Sequence, residues 1–131
     1  MFRVSFGLAL AAACVAFAVE IVAIADLLKE PAKFDGKAVT VTGKVLGFKQ
    51  KTSKAGNPYF TMKVAPKEGD AVSVYGRGTS EREFKDNVTV VVTGKFSKEK
   101  KVGTVTFKNE IDVTKSDDDK ATKEFGIKVK D

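Results

Sequence analysis

Tyr59 and Tyr75 are the two tyrosines of this chain, and each falls in a short alternating segment with a cation on its own face. Successive side chains of an extended strand point to opposite sides. In 59–64 this puts Tyr59, Thr61 and Lys63 on one face and Phe60, Met62 and Val64 on the other. In 71–77 it sets Ala71, Ser73, Tyr75 and Arg77 against Val72 and Val74. The valine, methionine and phenylalanine sets are the natural core, so the tyrosines and cations face outward. Aromatic planes stack on bases while lysine and arginine track phosphates, which is the chemistry that single-stranded nucleic acid requires. Lys49, Lys51 and Lys54 on one connection and Lys98, Lys100 and Lys101 on another would form positive rims on either side of that face. Lysine acts as a point charge with little geometric preference, so the expected sequence selectivity is weak.

The same inventory argues against bond-making chemistry. The chain has no histidine, the commonest general base near neutral pH and the commonest zinc ligand. Its one cysteine, Cys14, lies in the apolar first stretch. Asp117, Asp118 and Asp119 lack the glycine and terminal glutamate of an EF-hand calcium loop, and no Walker or dinucleotide fingerprint occurs. The expectation is a protein that is not an enzyme and holds neither metal nor cofactor. Formal net charge is +6, and 19–115 holds 18 basic against 12 acidic residues while 116–131 holds 4 against 5. A basic body with a slightly acidic tail favours polyanionic partners through attraction that weakens with salt.

Residues 1–18 read as a signal peptide, with Arg3, an apolar run, and Ala16-Phe17-Ala18 before the expected cleavage. Export to the periplasm or secretion follows, with no stable membrane span left afterwards; lipid attachment at Cys14 is the alternative. Residues 19–36 supply a short helix, with Ile24, Leu27 and Leu28 on one face and Pro31 ending it, and then a turn at Asp35-Gly36. Residues 37–115 carry five strand patterns. The first, about 37–49, changes its apolar face from Val39, Val41 and Val45 to Leu46 and Phe48, with Gly43 and Gly47 inside it, and so predicts a bulge or bend. The hairpin connection spans 50–58, and the second and third strands follow. A charged loop at 78–87 tucks Phe84 inward. The fourth strand covers 88–96, 97–101 connects, and the fifth places Val105, Phe107, Ile111 and Val113 on one face, interrupted by Asn109. Residues 116–131 form a charged C-terminal tail, whose close is either an edge strand or a frayed end.

Five short strands, the first bent, with a long first hairpin and little helix, describe an all-β, five-stranded Greek-key barrel of the OB type. Gly43 and Val45, then Gly56, Tyr59, Phe60 and Met62, then 72–75 resemble the anticodon-binding type of OB-fold nucleic acid domain, and the similarity continues through 88–96 and 102–113. The resemblance implies a non-enzymatic module binding single-stranded nucleic acid on the face of its second and third strands. Family members of this type usually work inside the cell, attached to other domains, whereas this chain is expected to be exported. An exported adaptor for an envelope protein or an anionic glycan is therefore the alternative reading.

Overall fold

The computed structural model describes residues 19–115 and 120–130, so the expected signal peptide, Cys14 and Asp117–Asp119 lie outside the described residues. The chain is mostly β. Strands β1 (Glu20–Ile21), β2 (Ala38–Thr52), β3 (Pro58–Ala65), β4 (Val72–Arg77), β5 (Thr89–Val102), β6 (Val105–Asp112) and β7 (Gly126–Val129) form one sheet. Two short helices, α1 (Ile24–Lys29) and α2 (Pro31–Phe34), precede β2, and a 3-10 turn at Lys120–Glu124 precedes β7.

Alternation and the glycines bring this about. β2 lays its first half antiparallel to β5, with Val41 opposite Val92 and Val39 opposite Gly94. Its second half pairs antiparallel with β3. β3 pairs with β4, β4 runs parallel to β6, and β6 pairs antiparallel with β5. Five strands thus make a partly closed ring, β2-β3-β4-β6-β5 and back to β2. The bend needed for β2 to serve both neighbours falls where its apolar face changes. The β2–β3 register slips between Leu46 and Lys49, and Gly47 sits there at φ +66°, a left-handed conformation that glycine adopts freely. The bulge turns Phe48 toward the interior, 5.9 Å from the Phe60 ring and 5.6 Å from Phe84. It leaves Leu46 partly exposed.

The inward faces match the alternation read from sequence: Phe60, Met62, Val64, Val72, Val74, Val90, Val92, Phe96 and Ile111 are buried together. Burying each such side chain contributes about 1.5–3 kcal/mol. Helix α1 closes one end of the core through Ile24 and Leu27 and stops at Lys29, before Pro31, which opens α2. Phe84 plugs the core from the 78–87 loop, as expected.

Two features depart from the sequence reading. Both hairpin ribbons are longer than expected: β2 runs to Thr52, and β5 runs to Val102 with only Gly103 and Thr104 before β6. Lys49, Lys51, Lys98, Lys100 and Lys101 are therefore strand residues, and only Lys54 lies in a loop. Val105 and Phe107 are not core but 51% and 42% exposed, because this part of the β5–β6 ribbon extends past the ring and nothing among the described residues packs over it. The close of the expected tail takes the edge-strand alternative: Phe125 is buried, and β7 pairs with Val90–Thr93 of β5, the stretch of that edge beside which β6 does not run. β1 likewise runs parallel to the first part of β2.

Candidate functional site

Cross-strand register arranges the outward face of β2, β3 and β4 in rows, because directly paired residues project to the same side. Lys51, Tyr59 and Arg77 form one row. Lys49, Thr61, Tyr75 and Asp112 form the next. Lys63, Ser73 and Glu110 form the third. The expected outward set of Tyr59, Lys63, Tyr75 and Arg77 is thus on one face, joined there by Lys49 and Lys51. Lys49, Lys51, Lys63 and Arg77 are exposed, and Tyr59 is half-buried.

Tyr59 and Tyr75 are diagonal neighbours and meet edge to face, with ring centroids 5.9 Å apart and planes at 66°. Such a pair contributes about 0.5–1.5 kcal/mol beyond burial and holds both rings in place. Lys100 reaches across from β5 and sets its Nζ 4.3 Å from the centroid of Tyr75. The same ammonium donates to Glu110 Oε1 at 3.0 Å. Tyr75 is therefore braced by a cation and by its neighbour's ring, and Tyr59 is the ring flanked by Lys51 and Arg77, which form no ion pair among the described residues.

Glu110 is the residue that sequence reasoning missed. Its side chain is only 9% exposed, and Lys100 is its ion-pair partner. Phe107 and Glu110 are three apart, and in a regular strand they would point to opposite sides. Both nevertheless line one groove, because Asn109 between them takes a left-handed φ of +53° and resets the alternation. Asn109 was the available signal: it interrupted the apolar face of the fifth strand, and asparagine tolerates this conformation better than most residues.

The groove has a volume of about 440 Å³, with Lys49, Lys51 and Lys63 along it, Thr61 and Met62 in its floor, and Phe107 at one wall. It can hold an anionic chain with flat or apolar groups: three ammonium groups attract the anion, while Phe107 and the nearby Tyr59 offer apolar surface. Of the remaining rim lysines, Lys54 sits exposed in the β2–β3 turn, Lys98 is anchored through its backbone N–H to Asp35 Oδ1 at 2.8 Å, and Lys101 is exposed near the ribbon tip. These three do not line the groove, and neither do Lys100, Tyr59, Tyr75 and Arg77, which lie beside it.

Removing Lys100 should expose the dependence of this arrangement on its ion pair. A buried carboxylate without its partner is costly, and Lys100 is itself one-third exposed, which moderates the loss. Lys100→Met is expected to destabilise the protein by about 1–2 kcal/mol, read from urea denaturation. Adding Glu110→Gln should recover most of that loss. Equal stability of Lys100→Met and the unaltered protein would show that the pair does not hold the face.

Among the described residues no cluster of histidine, cysteine, aspartate or glutamate is placed to hold a metal ion, and no helix is long and apolar enough to cross a membrane. Comparison with protein-family models, with curated proteins and with solved structures finds no match to this chain.

Proposed function

We propose that this chain is an exported, non-enzymatic binding module of the OB type that takes single-stranded nucleic acid, with weak sequence selectivity, in the lysine groove on β2, β3 and β4. The observation that carries the reading is the juxtaposition of three exposed lysines with a ring row: Lys49, Lys51 and Lys63 line one groove, and Tyr59 stands between Lys51 and Arg77. The barrel type is supported by the order of pairing. Counted from β2, the strands of the ring pair first to second, second to third, third to fifth in parallel, fifth to fourth, and fourth to first. In barrels of this type oligonucleotides lie across the second and third strands, here β3 and β4.

Titrating the protein from Val19 onward with fluorescent mixed-sequence single-stranded DNA and RNA tests the reading. Micromolar binding that weakens steeply from low to near-physiological salt is expected. Tyr59→Ala should weaken it at least about fivefold, because stacking on one ring is worth about 1–3 kcal/mol. Absence of binding at low salt would remove the proposal.

A second reading is favoured by a different observation. Val102, Val105 and Phe107 are 54%, 51% and 42% exposed along the β5–β6 ribbon, an apolar strip that suits a protein partner. An envelope-protein adaptor would bind with little salt dependence and would lose its partner on Val105→Ser rather than on Tyr59→Ala.

A further inference from the structure

A second cleft, of about 500 Å³, lies beyond the end of β4, and Arg77 lines it together with Arg82, Lys115 and Lys128 against one acid among the described residues, Glu81. Phe60, Phe84 and Phe125 line the same cleft, and each is at least nine-tenths buried. These core rings close it from behind, so an anion enters the cleft but a strand does not pass through it.

No residue lines both the cleft and the lysine groove, and Arg77 is the link between them. Arg77 belongs to the row of Lys51 and Tyr59 and also lines the cleft. Gln50, between Lys49 and Lys51 on β2, stitches the two regions together. Its Nε2 donates to the Tyr59 carbonyl at 2.8 Å and to the Gly78 carbonyl at 3.2 Å, and its Oε1 accepts from the Ser80 backbone N–H at 2.9 Å. Ser80 Oγ in turn donates to the Arg82 carbonyl at 2.6 Å, fixing the loop that carries Arg82. The Thr114 hydroxyl accepts the Arg77 backbone N–H at 2.9 Å, which leaves its own proton available to an anion.

Resting on the nucleic-acid reading above, we infer that this cleft is an end site that takes the terminal phosphate of a single strand lying in the lysine groove. A phosphomonoester carries about −1.5 to −2 charge at pH 7, against −1 for each internal phosphodiester, so a cleft with an excess of cations favours the end over the interior of the strand. The module then distinguishes phosphorylated from unphosphorylated ends while remaining indifferent to base sequence.

The test compares one short mixed-sequence single strand in three forms: with a 5′ phosphate, with a 3′ phosphate, and with neither. One of the phosphorylated forms should bind about tenfold more tightly than the unphosphorylated form, the size of one charge-assisted contact. Arg82→Ser with Lys128→Ser should erase the difference, lower the unphosphorylated affinity no more than the charge-matched Lys67→Ser with Lys85→Ser does, and melt as the unaltered protein does. Equal affinity for all three forms, with binding still dependent on Lys49 and Lys51, would overturn the end site alone, as would a phosphate preference that survives in the double variant. No binding of any form would overturn the nucleic-acid reading and the end site with it.

Discussion

Replacing Lys49, Lys51 and Lys63 together with serine is expected to weaken binding of a mixed-sequence single strand by about a hundredfold or more at low salt. The same change should flatten the slope of log affinity against log salt by about 2, because each lost phosphate contact on a single strand removes roughly 0.7 from it. The three lysines line one groove, whereas Lys29, Lys67 and Lys85 are also exposed and lie outside it. Serine at those three positions makes the same change in net charge. The account expects it to lower affinity only severalfold, through the weaker long-range field. Equal losses from the two triple variants would mean that total charge, and not the groove, attracts the ligand.

Gly94→Ala is expected to destabilise the fold by about 3 kcal/mol and to lower the melting temperature by about 10 °C or more. Gly94 faces Val39 across the β2–β5 pairing, at the place where β5 passes from β7 to β6. A Cβ there would stand 2.5 Å from the Asp112 carbonyl oxygen and 2.8 Å from Ile111 Cγ2. The nearest obstacle is backbone, which can yield only if β5 and β6 part, and that opens the ring. Gly47→Ala makes the contrast. Its φ of +66° strains any side chain, but nothing lies within 4 Å of the new methyl, so the expected loss is about 1 kcal/mol. Thermal melts of the two variants rank the effects, and a milder Gly94→Ala would show that the ring seam is looser than this packing implies.

The strand faces were legible because alternation is a local property. Phe60, Met62, Val64, Val72 and Val74 point inward, and Tyr59, Lys63, Tyr75 and Arg77 outward, as the two-residue period requires. The β2 bulge was legible as well, because the change of apolar face coincided with Gly47. What alternation does not contain is strand length. Lysines at 49–51 and 97–101 looked like loop residues, yet a two-stranded ribbon projecting into solvent accepts polar side chains on both faces. The fate of Phe107 was hidden for a related reason: an apolar residue in phase with Ile111 reads as core unless the left-handed turn at Asn109 is known. The pairing of Glu110 with Lys100 joins residues ten positions apart and depends on that same turn. β7 was ambiguous because its four residues gain their place only from the β5 edge they cover.

The most direct test is an amide chemical-shift map of the isotope-labelled protein with a mixed-sequence single strand at low salt. Saturable shifts centred on Lys49, Lys51, Tyr59, Thr61 and Lys63 are predicted, with residues 102–105 at the ribbon tip little changed. Shifts centred on the ribbon tip, or scattered over the basic surface without saturation, would contradict a binding groove on β2, β3 and β4.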